Sequence, residues 1–228
     1  MDAAVDVWFY DIASAPSGAA MSLLSPLEQR RAAAFVSMAD RDRFVAAHES
    51  MRSILGDYLQ RDPPSIAFEY GPQGRPRIAH SSFDFNLSHS EDRAALAVAT
   101  GVRVGIDLER ERENDDVAAL VRQFFAPEER ARFATIDVAG RQRWFYRQWV
   151  AKEAVLKAHG GGLSVDSSGF AVCFESAERG SVRSPTDDPG AQWNVRMLSV
   201  GCGWHAAVAV DAPLDHIHFT IRDLRRGM

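Results

Sequence analysis

Apolar residues in this chain change their spacing from one segment to the next, and each change marks an element. Residues 5–12 (Val-Asp-Val-Trp-Phe-Tyr-Asp-Ile) predict a strand. Ser25-Pro26-Leu27-Glu28 has the form of a capping box with proline at the first helical position, so a short helix starts there. Over 40–60, Phe44, Ala47, Met51, Ile54, Leu55 and Tyr58 recur every three or four residues, which gives a helix one buried face; Asp62-Pro63-Pro64 stops it. Apolar runs at 66–70, 83–87, 94–100 and 102–108, separated by Gly, Pro, Ser or Asp, predict strands. Three helices are predicted at 117–125, 127–136 and 140–158, the last ended by Gly160-Gly161-Gly162. Strands return at 169–175, 192–200 and 204–210, and the polar stretch 177–190 reads as a surface loop.

Helices followed by strands therefore occur twice. Phe85-Asn86-Leu87 with 94–98 is echoed by Trp193-Asn194-Val195 with 206–210. This order predicts an α+β fold of two pseudo-symmetric α/β halves in one chain, residues 1–107 and 108–228, and a monomer.

The chain has 228 residues, 46% hydrophobic and 25% charged, as expected of a globular protein with a sizeable core. A net charge of −5 argues against general nucleic-acid binding. No apolar run approaches the ~20 residues of a membrane span. The first ten residues carry no basic residue and do not form a signal peptide, so a cytoplasmic protein is expected. Cys173 and Cys202 form no CxxC pair and read as small buried thiols rather than zinc ligands.

Four short segments carry candidate chemistry. In Val104-Gly105-Ile106-Asp107-Leu108-Glu109, alternation along a strand places Asp107 and Glu109 on one face. Paired carboxylates favour a hard divalent cation, although an isolated DxE is more often a solvated strand end. In the segment from Trp149 to Lys157, Glu153 and Lys157 are i,i+4 neighbours on a helix whose other positions are mostly apolar. A glutamate buried there needs a partner, and a metal ion would be one. Phe85-Asn86-Leu87-Ser88-His89-Ser90 offers hydroxyl, imidazole and backbone donors suited to a phosphate, or simply forms a polar turn. The absence of G-x-S-x-G argues against a serine hydrolase. Gly71-Pro72-Gln73-Gly74-Arg75-Pro76 is a turn whose Arg75 could meet an anion.

In this order, Gly74-Arg75-Pro76, the segment from Phe85 to Ser90, Val104 to Glu109, and Trp149 with Lys152-Glu153-Ala154 and Lys157 resemble the motif series of the Sfp-type 4'-phosphopantetheinyl transferases. The resemblance implies two similar halves with coenzyme A in the cleft between them. It implies transfer of the 4'-phosphopantetheine arm to a serine of an apo carrier protein, with release of 3',5'-ADP. The carriers of peptide synthetases, polyketide synthases and fatty-acid synthase are all eligible, and no nucleic acid or membrane is involved. Asp107, Glu109 and Glu153 resemble the ligands of a magnesium ion, with manganese as the alternative. Glu153 and Lys157 are the implied catalytic pair, Glu153 accepting the serine proton directly or through a metal-bound water. Arg31, Arg52, Gly74, Arg75, Pro76, Ser88, His89, Lys152 and Lys157 fall at positions around the coenzyme. Two departures stand out: Arg75 replaces a frequent lysine, and Glu28 stands where some relatives carry a base. Phe124-Phe125-Ala126-Pro127, with Arg122, Arg130 and Arg132 nearby, reads as a docking patch for an acidic carrier or as core anchors. A non-catalytic coenzyme A-binding module would not need the three carboxylates. A Mg²⁺-dependent phosphoryl-transfer enzyme acting on a small nucleotide would need no carrier.

Overall fold

The computed structural model describes residues 3–13, 16, 18–114, 116–161, 165–183 and 192–224. In chain order the elements are β1 (Ala3–Asp11), α1 (Ala20–Leu23), α2 (Pro26–Ala33), α3 (Met38–Leu59), β2 (Phe68–Tyr70), β3 (Pro76–Ile78), β4 (Phe83–Ser90), β5 (Arg93–Thr100) and β6 (Val104–Arg110). There follow α4 (Val117–Phe124), α5 (Pro127–Ala134), α6 (Val138–His159), β7 (Ala171–Phe174), β8 (Arg179–Arg183), β9 (Asn194–Leu198), β10 (Trp204–Val210) and β11 (Ile217–Asp223). The strands form two main sheets, ordered β11-β1-β5-β4 and β6-β10-β9-β8-β7, and β2 pairs with β3.

Each main sheet is backed by one 22-residue helix. Ala46, Ala47, Met51, Ile54 and Leu55 of α3 pack on Phe85, Leu96 and Val98, so the three-and-four spacing buries the predicted face. Val150, Ala151, Ala154 and Ala158 of α6 do the same against Val172, Val195, Ala207 and Ala209. The opposite faces of the sheets meet in a third core of Val5, Val7, Ala97, Ile106, Leu108 and Val208. The order of layers is helix, sheet, sheet, helix.

Local signals are realised where they were readable. Ser25 and Glu28 form the capping box of α2. α6 ends at Gly160, whose φ of 79° is left-handed; Gly162 lies outside the described residues. The echoed segments are two matching antiparallel hairpins, β4–β5 and β9–β10.

Residue 107 is inside β6, which belongs wholly to the second sheet, so the boundary drawn at 107–108 cuts a strand. The chain also returns at its end: β11 pairs in parallel with β1, from Ala3↔Ile217 onward, so the first sheet is not built from one contiguous stretch. The expected loop 177–190 contains β8, a polar strand held by backbone pairing to β7 and β9; residues 184–190 lie outside the described residues. Cys173 is half-buried and Cys202 is exposed, and both are free thiols, so the expectation of two buried thiols fails. Among the described residues no helix is long and apolar enough to cross a membrane.

Candidate functional site

The site lies on the seam where β4, the edge of one sheet, meets β6, the edge of the other. Side chains rather than a backbone ladder sew this seam. Alternate residues of β4 accept from alternate backbone N–H groups of β6: Asp84 from Val104 (2.8 Å), Asn86 from Ile106 (2.9 Å), Ser88 from Leu108 (3.3 Å) and Ser90 from Arg110 (3.3 Å). Strand period two puts these four polar groups on one face, and they satisfy edge donors that would otherwise be unpaired.

The two serines also hold the carboxylates. Ser88 Oγ donates to Asp107 Oδ1 at 2.9 Å, and Ser90 Oγ donates to Glu109 Oε2 at 2.7 Å. α6 crosses close behind β6, because Gly105 has no side chain: a Cβ there would stand 2.1 Å from the Ala154 carbonyl oxygen and 2.4 Å from the Ala158 nitrogen. This approach brings the i,i+4 pair Glu153 and Lys157 to the seam. Lys157 Nζ donates to Asp107 Oδ1 at 2.6 Å and to Ser88 Oγ at 2.9 Å. Leu87, Ser88, His89, Asp107, Glu109, Trp149, Glu153 and Lys157 line a cleft of about 310 Å³.

Crowding of acids shows in their proton affinities. Burial, and then the neighbouring Asp107, push Glu153 above the usual carboxylate range. Burial pushes Glu109 up as well, reinforced by Asp107 and opposed by the Ser90 hydrogen bond. The His89 ring reaches solvent, but the protein enclosing it and the Lys157 charge lower its pKa.

The donor chemistry of the cleft fits a divalent cation. Asp107 is 3% exposed, yet its Oδ2 is buried with no hydrogen-bond partner, an acceptor waiting for a cation or donor. The three carboxylates share the cleft without closing into a ligand cage: among the described residues no group of His, Cys, Asp or Glu stands as a ready metal cluster. Lys157 supplies the counter-charge instead.

A second cavity of about 220 Å³ continues the cleft through Leu87 and His89, and includes Arg31, Phe44, His48, Tyr70 and Pro76. Arg31 lies over the Tyr70 ring, 5.2 Å from its centroid. Gly74 (φ 80°) makes the turn before β3.

The structure thus brings Ser88, His89, Asp107, Glu109, Glu153 and Lys157 together, with Arg31 and Pro76 in the adjoining cavity. Arg52, Lys152 and Arg75, also expected around the coenzyme, do not line either cavity, and each side chain is held in internal contacts. Arg52 is fully buried; its Nε donates to Glu28 Oε2 at 2.7 Å and its NH1 to the carbonyls of Pro63 and Ile66. Glu28, the apparent departure in α2, is the acid that pairs with Arg52. Lys152 is 2% exposed and donates to Glu129 Oε2 at 2.7 Å and to the Phe170 carbonyl at 2.6 Å, on the side of α6 away from the cleft. Arg75 donates to Asp84, to the Val104 carbonyl and to the carbonyls of Lys157 and Ala158. Phe125 and Ala126 are buried core residues, whereas Phe124, edge-on to Trp149, is partly exposed and Pro127 is exposed, so the core-anchor reading holds for the middle of this segment and not for its ends. Asp84 was not among the expected site residues, and Ser90 and Asn86 were expected only within a phosphate-binding segment, not as seam residues. Their signal was the polar alternation Asp-x-Asn-x-Ser-x-Ser in a strand otherwise facing a core.

Comparison with known proteins identifies a family. Residues 103–210 match the 4'-phosphopantetheinyl transferase superfamily model, and residues 14–101 match the model of a 4'-phosphopantetheinyl transferase N-terminal region. The junction falls between β5 and β6. The chain is 40% identical over 145 residues to the 4'-phosphopantetheinyl transferase HetI of a Nostoc species, covering 62% of this chain and 61% of that protein. A putative 4'-phosphopantetheinyl transferase of a Synechocystis species is 33% identical, over 63% of this chain and 59% of that protein. The chain therefore spans about three-fifths of the length of these two relatives. A 4'-phosphopantetheinyl transferase of Bacillus subtilis is 30% identical over 71% of this chain and 77% of its own length. With two family models that together cover most of the chain and a relative matched over 77% of its length, this chain belongs to the 4'-phosphopantetheinyl transferases.

Proposed function

We propose that this protein transfers the 4'-phosphopantetheine arm of coenzyme A to a serine hydroxyl of an apo carrier protein, releasing 3',5'-ADP, and that it is of the Sfp type. The observation that carries the reading is the convergence of Asp107 and Glu109 from β6 with Glu153 and Lys157 from α6 in one cleft. A module that merely bound coenzyme A would not need three mutually repelling carboxylates.

Asp107, Glu109 and Glu153 would hold a magnesium ion, for which the unpartnered Asp107 Oδ2 is the available donor, with manganese as an alternative. Bound there, the ion would draw charge from the pyrophosphate of coenzyme A. The rest is the work of the chain itself. His89 and Arg31, on the cavity that continues the cleft, favour the adenosine end and its phosphate. The Lys157 ammonium, on the cleft lining, would stabilise charge on the transferred phosphoryl oxygens. Ser88 and Ser90 hold the acids in orientation. Glu153, on the same cleft, would accept the proton of the attacking serine, directly or through a water.

The test is to mix the protein with coenzyme A, Mg²⁺ and a panel of apo carriers from peptide synthetases, polyketide synthases and fatty-acid synthase, and to measure carrier mass. A phosphopantetheine gain on at least one carrier is expected. Turnover of coenzyme A with no carrier present, or no gain on any carrier, would overturn the reading.

A further inference from the structure

Arg75 has no place in the chemistry just described, yet it is 9% exposed and its two terminal nitrogens are fully engaged. Its NH1 donates to the backbone carbonyls of Lys157, at 2.7 Å, and Ala158. Its NH2 donates to Asp84 Oδ2 at 2.6 Å and to the Val104 carbonyl at 2.8 Å. The acceptors belong to three elements: the end of β4's polar face, the start of β6 and the last turn of α6.

The carbonyls of a helix's last turn have no partner within the helix, and they carry the negative end of its dipole. A buried guanidinium answers both needs. The same turn carries Lys157, whose ammonium rests on Asp107 and Ser88. Gly160, which ends the helix, lets the arginine approach: a Cβ there would meet Arg75 Cδ at 3.3 Å. A fork with donors on separate nitrogens can span acceptors on different elements, whereas a lysine presents all its donors from one atom.

We propose that Arg75 is a positioning residue: it fixes the last turn of α6 to β4 and β6, so that the Lys157 ammonium stays on Asp107 and Ser88, and it does not itself contact coenzyme A. The proposal rests on the transferase reading of the cleft for its kinetic arm and is independent of it for its structural arm.

The experiment compares the wild-type chain with Arg75→Lys, Arg75→Gln, Lys157→Ala and the double variant Arg75→Gln/Lys157→Ala. It measures turnover of apo carrier, KM for coenzyme A, thermal midpoint and amide hydrogen exchange at residues 157–159. Both Arg75 variants should lose about tenfold or more in kcat while KM for coenzyme A moves less than about twofold. Exchange at 157–159 should quicken, and Arg75→Gln should cost almost nothing further once Lys157 is gone. Lysine should fail to rescue. A direct coenzyme contact would show as a large rise in KM with kcat kept, or as additive losses. A purely structural part would show as a lower midpoint with unchanged kcat. Either result overturns the proposal, and so does unchanged exchange at 157–159. If the wild-type chain proves inert toward coenzyme A and carriers, the transferase reading fails alone, and the exchange measurement still decides the role of Arg75.

Discussion

Asp107 divides its carboxylate between two environments at Lys157: Oδ1 lies 2.6 Å from the lysine ammonium, and Oδ2 is buried without a hydrogen-bond partner. An unsatisfied buried acceptor costs roughly 1–3 kcal/mol, so the fold keeps a destabilised oxygen in its cleft. Strain of this kind is retained where a ligand relieves it. Mg²⁺ should therefore stabilise the protein in the absence of any substrate, by about 2.7 kcal/mol at a hundredfold excess over Kd, and so raise its thermal midpoint. Asp107→Asn should abolish that rise and the transfer activity together. Calorimetric scans with and without Mg²⁺ check this; an equal rise in the variant would remove Asp107 from the metal site.

Glu153 bears the cost of the same crowding. Burial and the charges of Asp107 and Glu109 hold its proton affinity high, so its ionised form opposes folding at neutral pH. Glu153→Gln should then abolish transfer while stabilising the chain by about 1 kcal/mol, a gain of roughly 2–4 °C. Loss of activity with a lower midpoint would mean that the carboxylate serves the fold rather than the reaction.

How much of this was legible depended on the distance between partners. The capping box of α2, the face of α3 and the stripe of α6 are local patterns, and the helices follow them. Asp107 and Glu109 share a face because a strand requires it, and Glu153 and Lys157 share one because a helix does. Arg52, Arg75 and Lys152 could not be sorted this way. A basic residue beside a phosphate and one buried in an internal ion pair look alike in a sequence. The paired acids lie 24 residues away for Arg52, 23 for Lys152 and 9 for Arg75, whose carbonyl partners on α6 are 82 and 83 residues away. β8 was missed because Arg-Gly-Ser-Val-Arg has no apolar alternation, and its pairing partners hold it extended.

Lys152 offers a test of that distinction. Its ammonium is buried with Glu129, which also accepts from Ala126 N–H, Val172 N–H and Gln148. Removing one member of a buried pair strands the other, at about 3–5 kcal/mol. Lys152→Met should lower the midpoint by roughly 10 °C, yet leave KM for coenzyme A unchanged when assayed well below that midpoint. A raised KM in folded protein would return Lys152 to the coenzyme site.

His48 gives the fold an acid sensitivity. Burial lowers its pKa from 6.5 to about 4, against a raising hydrogen bond to the Phe44 carbonyl and the charge of Glu28. Native His48 stays neutral where the unfolded chain takes up a proton. Its contribution is complete above pH 6.5 and is lost as the pH falls toward 4. Between pH 7.5 and 5 that loss is about 2 kcal/mol. Urea unfolding of wild type and His48→Gln at both pH values should show the variant losing less stability by about that amount; parallel losses would assign the acid sensitivity to other groups.

Gly105 makes the sharpest demand of all, because what it excludes is backbone. A methyl group at this position would meet the Ala154 carbonyl oxygen at 2.1 Å and the Ala158 nitrogen at 2.4 Å, neither of which can turn aside as a side chain could. Gly105→Ala must push α6 away from β6, and the displaced segment includes both Glu153 and Lys157. Overpacking of this kind typically costs about 1–3 kcal/mol, and misplacing a catalytic group by about 1 Å can cost roughly a hundredfold in rate. The expected variant folds with a lower midpoint and has lost transfer activity out of proportion to that change. The Lys157 contact with Asp107 should also be weakened, which would show as a shift in the ammonium resonance by NMR. Near-wild-type turnover in Gly105→Ala would mean that the reaction does not depend on the close approach of α6 to β6.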